Sequence, residues 1–294
     1  MSDPTPLKFG IPKGSLEEAT LALFARSGWK IALSRRSYFP EVNDESLAVR
    51  LCRPQEMPGY VHEGVLDAGL TGKDWILESK VDVQSVSDLI YSKASRRPAR
   101  WVLAVAGDSP YTRAEDLAGK RVATEIMGLT RDYFAGKGVA ANIQYSWGAT
   151  EAKVVEGLAD AIVEVTETGA TLRAHGLRII DEVLVTNTRL IANRTAWKDP
   201  WKRGKIEQIN LLLQGALRAE AMVGLKMNAP SGRLDAILNL LPSLNSPTVA
   251  RLQDANWVSL EIVVHSDVVR ELLPRLVAAG AEGIIEYPLN KVIA

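Results

Sequence analysis

The sequence has one cysteine, three histidines, no surplus of either charge and no long apolar run. Cys52 is the only cysteine among 294 residues, so neither a disulfide within the chain nor a cysteine metal cage can form. Lys+Arg and Asp+Glu both number 35, whereas nucleic-acid binders usually carry a basic surplus. No apolar run reaches the roughly 18 residues of a membrane span, and "MSDPTPLKFG" lacks a signal-peptide pattern. We therefore predict a cytoplasmic protein that binds neither nucleic acid nor membrane.

The first two thirds of the chain alternate between β-rich runs and helical stretches. The runs predicted as strands include "LKFGI", "LAVRLC", "DAGLTG", "WVLAVAG", "RVATE", "NIQYSW", "DAIVEV" and "LRIIDEVLVT". This alternation is typical of α/β proteins and predicts a mostly parallel sheet with helices on both faces.

The pattern changes after about Thr195, where a connection rich in tryptophan, lysine and arginine becomes a long helix. The segments after it follow the order βαββαβ, which is the ferredoxin-like split unit. A chain of this length is expected to form two or three compact units, of which this would be the last.

One short stretch, "DAIVEVTETGATL" at residues 160–172, combines acids with small polar residues. Its β-branched first half carries Asp160 and Glu164, whose spacing puts both carboxylates on one side of a strand. Residues 168–171 then break the strand without a lysine, so the break is not a Walker phosphate loop. The pattern predicts a turn from a strand into a helix.

Such a turn is suited to a phosphate, and the acids beside it to a sugar or a metal. A helix N-terminus offers amides and a favourable dipole, Thr168 and Thr171 add hydroxyls, and Gly169 permits close approach of a ligand. Carboxylates accept hydrogen bonds from vicinal hydroxyls or hold a Mg²⁺ that grips a diphosphate. We infer a sugar-phosphate site, although a capped helix with two solvated carboxylates fits the spacing equally well.

Longer segments carry a specific resemblance to a known family. They are "GLADAIVEVTETGATLRAHGL", "IPKGSL", "RPQEMPGYVHEGVLDAGLTGKD" and "LNSPTVARLQDANWVSLEIVV". They resemble the phosphoribosyl-diphosphate loop, the N-terminal loop, the second conserved block and the regulatory domain of long-form ATP phosphoribosyltransferase. Because they span nearly the whole chain in the right order, the chain is identified as a member of that family.

The resemblance implies an α/β enzyme with two parts. A two-lobed catalytic part, like a periplasmic binding protein, would have lobe I at residues 1–93 and 180–210 and lobe II at 94–179. A ferredoxin-like regulatory domain would occupy residues 220–294. The implied reaction joins an adenine ring nitrogen of ATP to phosphoribosyl diphosphate with Mg²⁺ and releases pyrophosphate. A homo-oligomer, from dimer to hexamer, and inhibition by histidine are implied as well.

The resemblance also implies roles for individual residues. Lys13 and Glu164 would be catalytic, and no residue is an obvious general base. Asp160 would assist Glu164 at the ribose. The remaining substrate contacts would be Gly14, Arg53, Gly72, Asp74, Arg100, Glu151, Thr166, Glu167, Thr168, Gly169, Ala170 and Thr171. For Lys13 and Arg100 a surface position is the alternative, and for Asp74 and Glu151 a helix cap.

In the last domain the resemblance implies that histidine binds at Leu244, Ser246, Thr248 and Ala281, between paired domains. Without it, "LNSPTV" would be an ordinary turn containing proline.

The chain departs from the family at one place. Many members have an aromatic residue followed by proline after the "VAT" strand, where this chain has "EIMGLTRDYF". Glu125, Thr130 and Arg131 suit a polar cleft wall there, but no nucleotide contact is carried over.

Two rival functions stay open on sequence grounds. One is a two-lobed solute-binding or sensor protein without catalysis, against which the missing signal-peptide pattern weighs. The other is a catalytic chain that needs a separate regulatory subunit, against which the predicted βαββαβ unit weighs.

Overall fold

The structure is a computed structural model that describes residues 5–33, 38–91, 98–242 and 246–293. The chain forms two compact units, one of Met1–Ala25 with Trp29–Asn210 and the other of Arg26–Gly28 with Leu211–Ala294.

The first unit contains two α/β lobes that follow each other along the chain. Elements of the first lobe are β1 (Leu7–Pro12), α1 (Glu17–Ser27), β2 (Ile31–Ala32), β3 (Glu41–Val42), β4 (Leu47–Cys52), α2 (Met57–His62), β5 (Ala68–Gly72), α3 (Lys73–Ser79) and β6 (Gln84–Leu89). Elements of the second are β7 (Ala99–Ala106), a 3₁₀ turn (Ala114–Leu117), β8 (Arg121–Thr124), α4 (Met127–Gly136), β9 (Asn142–Tyr145), α5 (Thr150–Val155), β10 (Ala161–Thr166), α6 (Ala170–Ala174) and β11 (Leu177–Thr186). The chain then returns through β12 (Thr188–Ala192), α7 (Arg194–Lys198) and α8 (Pro200–Ala219).

Each lobe has its own five-stranded sheet, so the single sheet expected from the alternation is two. The orders are β4-β1-β5-β12-β6 and β11-β7-β10-β8-β9. In the first sheet β1 runs parallel to β4 and β5, and β12 runs antiparallel to both its neighbours. In the second, β8, β9 and β10 are parallel and β7 is antiparallel to β10 and β11.

The return to the first lobe comes later than the predicted boundary at residue 180. β11 stays paired with β7 as far as Thr186, and β12 begins pairing in the first sheet at Thr188. Residues 180–186 therefore belong to the second lobe, because β11 pairs with β7 along this whole stretch.

Strand β7 shows why the second sheet is covered on both faces. Trp101 and Leu103 belong to one buried cluster, and Val102 and Ala104 to another. Alternate residues of a strand point to opposite faces, so an unbroken apolar run buries both. This packing fixes the sheet whose strand ends form the site.

The second unit has the predicted ferredoxin-like order, and the prediction of an α/β protein with this domain at its end is confirmed. Its elements are β13 (Met222–Pro230), a 3₁₀ turn (Ser231–Arg233), α9 (Leu234–Leu238), β14 (Thr248–Arg251), β15 (Trp257–His265), α10 (Val269–Ala278) and β16 (Glu282–Pro288). The sheet order is β14-β15-β13-β16, with both helices contributing to one apolar core.

Candidate active site

A cavity of about 450 Å³ lies where strands of both lobes end. The first lobe contributes Gly72 at the end of β5, and the second contributes Glu125 after β8 and the turn after β10. In α/β folds, ligands bind at the carboxyl ends of strands. The cavity is thus placed where the topology predicts a ligand.

The turn after β10 presents most of the predicted loop to this cavity. The lining includes Thr166, Glu167, Thr168, Ala170 and Thr171. The turn begins a helix, α6, of only five residues, whose first amides lack partners within the helix.

Gly169 at this turn has a φ of 73°, in the left-handed region that favours glycine. Its amide donates to Thr166 Oγ1 at 2.8 Å, and the amide of Ala170 donates to Thr168 Oγ1 at 3.3 Å. A Cβ on Gly169 would lie 2.9 Å from Arg173 Nη1. The turn therefore requires a glycine and holds its hydroxyls close to its own amides.

Glu164 is half-buried two residues before the turn. Burial raises the pKa of its carboxyl group from the ordinary 4.5 to about 7, a hydrogen bond from Thr150 opposes the rise, and the negative charges of Glu151 and Glu125 add to it. A carboxyl group with such a pKa can change protonation when a charged ligand arrives.

Asp160 lies at the opposite end of the same strand and does not line the cavity. Its Oδ2 accepts from the backbone amide of Arg121 at 2.9 Å and from Arg121 Nε at 3.1 Å. These bonds hold the pKa of Asp160 below its ordinary value. The structure gives Asp160 an ion pair with Arg121 and does not bring it to the turn.

A second cavity, of about 660 Å³, adjoins the first, and its lining includes cationic side chains. Lys13, Gly14 and Arg53 line it, and the Lys13 ammonium lies 4.5 Å from the centre of the Tyr38 ring. The two cavities share a set of lining residues, Ser15, Pro54 and Gln55.

Cys52 also lines this second cavity. Burial raises the pKa of its thiol to about 12, so the thiol stays neutral and is a poor nucleophile at neutral pH.

Asp74 lies in the wall of the first cavity, but its carboxylate is already engaged. Trp101 Nε1 donates to Oδ2 at 2.6 Å, and Thr186 Oγ1 donates to Oδ1 at 3.0 Å. Both donors come from the second lobe. Asp74 is buried, and burial raises the pKa of its carboxyl group. It thus ties α3 of the first lobe to two strands of the second.

A second tie between the lobes starts from the same helix. The Glu78 carboxylate accepts from the backbone amides of Gly128 and Leu129, both at 2.8 Å, at the start of α4. An acid at a helix N-terminus is favoured by the unpaired amides and the dipole. The two lobes are therefore joined through α3.

Besides Asp160, four predicted contacts lie outside the lining of both cavities: Glu164 and Gly169, which are next to lining residues in the sequence, and Arg100 and Glu151. Arg100 pairs with Glu182 at 3.4 Å on an exposed part of the second lobe, the alternative that sequence reasoning had left open. Glu151 is in the first turn of α5, where its charge acts on Glu164.

Gln55 is a cleft residue that sequence reasoning missed. It lines both cavities, and its side chain hydrogen-bonds to Glu125 across the lobes. Burial raises the pKa of the Glu125 carboxyl group, and this bond and the charge of Arg53 oppose the rise. The position of Gln55 directly after "RP" in the second conserved block was the available signal.

Of the predicted histidine contacts, Leu244 lies outside the described residues. Ser246 and Thr248 are exposed, and Thr248 begins β14 at one edge of the sheet. Ala281 is buried just before β16 at the other edge, beside a cavity of about 480 Å³. A single domain does not bring Thr248 and Ala281 together, since β15 and β13 lie between their strands.

The described residues also bear on metal binding and on membrane insertion. No group of three or more His, Cys, Asp or Glu side chains converges to hold a metal ion. No helix there is both long and apolar enough to span a bilayer.

Comparison with known families gives two adjoining matches. The family described as ATP phosphoribosyltransferase matches residues 53–215, and the one described as HisG, C-terminal domain, matches residues 219–291. The chain is 72% identical to the ATP phosphoribosyltransferase of Nitratidesulfovibrio vulgaris (strain DP4) over 293 residues, covering 100% of both. It is 64% identical to that of Solidesulfovibrio magneticus (strain ATCC 700980 / DSM 13731 / RS-1), with the same coverage.

Solved structures agree in fold. The ATP phosphoribosyl transferase (HisG:HisZ) complex from Thermotoga maritima contains a chain that is 31% identical, with a TM-score of 0.60. The match covers 71% of this chain and 96% of that one. XAC2383 from Xanthomonas citri, bound to chloride ion, is 12% identical with a TM-score of 0.50 over 71% of this chain and 83% of that one, a likeness of fold alone.

Proposed function

The chain belongs to the ATP phosphoribosyltransferase family, and from this premise we propose how its cleft carries out the reaction. The enzyme transfers the phosphoribosyl group of phosphoribosyl diphosphate to an adenine ring nitrogen of ATP and releases pyrophosphate. This is the first step of histidine biosynthesis. The proposal concerns which residues hold which part of the substrates.

The turn after β10 binds the 5-phosphate of phosphoribosyl diphosphate. Its residues Thr166, Thr168 and Thr171 line the first cavity, and Gly169 allows the left-handed backbone that the turn adopts. The Thr166 and Thr168 hydroxyls accept hydrogen bonds from the turn amides of Gly169 and Ala170. A phosphate can accept hydrogen bonds from these amides, and the two hydroxyls can then donate hydrogen bonds to it as well.

Lys13 and Arg53 bind the leaving diphosphate in the second cavity. The observation that carries this proposal is the adjacency of the two cavities, of which one has a phosphate turn and the other two cations. A sugar held between them has its 5-phosphate on one side and its diphosphate on the other. Positioning of this kind, with cations at the leaving group, is the main source of rate enhancement in such a transfer.

Glu164 lies on the sugar side, where positive charge develops on the ribose in the transition state. Its raised pKa means that half of it is protonated near neutral pH before substrate binds. The ionised carboxylate stabilises an oxocarbenium-like sugar, and an oxygen of either form accepts a hydrogen bond from a ribose hydroxyl. No proton has to be removed from the attacking ring nitrogen, so no general base is required.

Mg²⁺ fits this site as an ion bound mainly by substrate phosphates. The described residues contain no all-protein metal cage, and Mg²⁺ commonly takes only one or two carboxylates besides phosphates and water. Glu125, which lines the first cavity and is hydrogen-bonded by Gln55 of both cavity linings, is the carboxylate that would hold it. When bound, the ion neutralises charge on the diphosphate.

Histidine inhibits the enzyme by binding between C-terminal domains of different copies, in a homo-oligomer of dimers up to a hexamer in the cytoplasm. The separation of Thr248 from Ala281 across one sheet supports this, because a partner's domain can bring the two edges together. Inhibition then requires histidine to favour a less active arrangement, typically by about 1–3 kcal/mol.

The test is pyrophosphate release from ATP, Mg²⁺ and phosphoribosyl diphosphate, measured with and without histidine. We expect turnover that histidine reduces. A chain truncated near Ala219 should lose the histidine response, whatever activity it keeps. Binding of both substrates without turnover would instead identify a solute-binding protein, and unchanged inhibition of the truncated chain would place the inhibitor in the catalytic cleft.

A further inference from the structure

Trp147 stands out because it is exposed in a position beside the cleft. All seven tryptophans lie in the described part of the chain, and of these only Trp147, with 84% of its surface accessible, is exposed. Tyr145 packs edge-to-face against it, with ring centres 5.1 Å apart. The two rings stand at 90° to each other, and most of the indole surface is open to solvent. A flat face of this kind is suited to stacking with another ring.

The strand order places Trp147 next to the first cavity. It follows β9, which is parallel to β8, and the amide of Ser146 donates to the carbonyl of Thr124 at the end of β8. Glu125 lines the cavity, and its Oε1 lies 3.8 Å from the Cβ position of Gly148. Strand β8 separates β9 from β10, so Trp147 lies two strand spacings, about 10 Å, from the strand of Glu164.

The backbone around Trp147 is held in an uncommon shape. Gly148 and Ala149 both have positive φ, at 110° and 49°. Among the described residues, only Ala149 and Lys80 adopt positive φ without being glycine. Buried Ser146 and Thr150 join their hydroxyls at 3.0 Å on either side. Backbone strain of this kind is often found at ligand sites.

The charges around Trp147 indicate which part of a substrate can bind beside it. Glu125, Glu151 and Glu164 lie on this side of the cleft, whereas Lys13 and Arg53 lie in the second cavity. Phosphates are therefore repelled here and attracted there. An uncharged aromatic base is not repelled, and the aromatic surface of Trp147 attracts it. Ile126, on the neighbouring strand end, is fully buried and does not offer such a surface.

We propose that Trp147 is the stacking platform for the adenine ring of ATP and a determinant of specificity for the base. The inference rests on the proposed position of the sugar at the turn after β10. An adenine about to be joined to that sugar lies beside it, over the end of β8, with Trp147 on its outer side. Trp147 then contributes to binding ATP and not to binding phosphoribosyl diphosphate.

The test compares ATP with inorganic tripolyphosphate, which has the charge but no base. Equilibrium binding of each is measured on the full chain with Mg²⁺ and without phosphoribosyl diphosphate, so that no turnover occurs. We expect Trp147→Ala to weaken ATP binding by about 5- to 150-fold, the range for losing one base–aromatic stack. Tripolyphosphate binding should change less than twofold, and Trp147→Phe should keep most of the affinity for ATP.

Leu158→Ala is the matched control, because Leu158 is also exposed, at 60%, close after α5. It should bind ATP normally. Equal affinity of Trp147→Ala and the native chain for ATP would overturn the inference, as would equal weakening of ATP and tripolyphosphate. A changed oligomeric state with unaltered ATP affinity would place Trp147 at a subunit contact and overturn it too. Pyrophosphate release by the native chain tests the proposed function separately.

Discussion

The two ends of strand β10 carry the same chemical group in opposite situations. At the amino end, Asp160 is held by the backbone and guanidinium of Arg121, and the pKa of its carboxyl group is lowered. At the carboxyl end, Glu164 is partly buried among other acids, and the pKa of its carboxyl group is raised to about 7. A carboxylate satisfied by a permanent partner stabilises the fold, whereas one left without a cation is available to a ligand. In this strand the presence of a cationic partner, and not the type of residue, separates a structural acid from a functional one.

The largest expected effect comes from the turn beyond the carboxyl end. Gly169→Val places a β-branched side chain at φ 73° with its Cβ 2.9 Å from Arg173 Nη1, and so distorts the turn assigned to the 5-phosphate. We expect phosphoribosyl diphosphate binding to be abolished in a calorimetric titration.

Gly119→Val separates that effect from backbone strain. Gly119 has φ 71°, lies before β8 and has open space around its Cβ position. Both variants should be destabilised by roughly 1–2 kcal/mol from the left-handed backbone. If Gly119→Val loses binding as well, or Gly169→Val keeps it, the phosphate assignment fails.

The next effect compares the two acids directly. Glu164→Ala should lower kcat/KM for pyrophosphate release by about 10²–10³-fold, as expected for loss of an electrostatic contact in the transition state. Asp160→Ala should lower it less than about tenfold, because that side chain binds Arg121 outside the cavity. Near-normal turnover in Glu164→Ala would show that both ends of β10 are structural.

A smaller effect is expected where Asp74 joins the lobes. Asp74→Asn replaces one acceptor oxygen by a donor, so Trp101 or Thr186 loses a buried partner. We expect the free energy of unfolding, measured in urea, to fall by roughly 1–3 kcal/mol. Asp132→Asn, at an exposed pair with Lys80, is the control and should change little. An equally small change in Asp74→Asn would contradict the buried network.

The smallest effect sharpens the comparison through pH. The pKa of the Glu164 carboxyl group is raised from the ordinary 4.5 to about 7 in the folded chain. Its contribution to stability is therefore complete below pH 4.5 and is lost as the pH rises towards about 7. Asp160 has the opposite sign: its stabilisation is present above pH 3.8 and is lost as pH falls through its lowered pKa. Urea unfolding across pH should show the first slope vanish in Glu164→Gln and the second in Asp160→Asn. Slopes of the same sign would contradict the two environments.

The order of strands and helices was predictable from the sequence because it depends on local residue patterns. The alternating runs identified eight strands of the two lobes but missed β6 and β12 and the short β2 and β3, and the βαββαβ order of the last domain is the one observed. The turn at Gly169 was recognisable because a left-handed position between strand and helix favours glycine over other residues. Exposed Trp147 carried no signal of its own, since a single tryptophan in sequence is most often partly buried.

The sequence by itself determined the family, the succession of strands and helices, and the face of β10 on which Asp160 and Glu164 lie. Only the tertiary structure decided which of these acids has a cationic partner, because Arg121 lies 39 residues from Asp160 along the chain. It likewise decided that Asp74 is satisfied by Thr186, 112 residues away, and that Thr248 and Ala281 lie at opposite edges of one sheet. Spacing along a strand fixes the direction of a side chain, but its partners come from distant segments that only folding brings together.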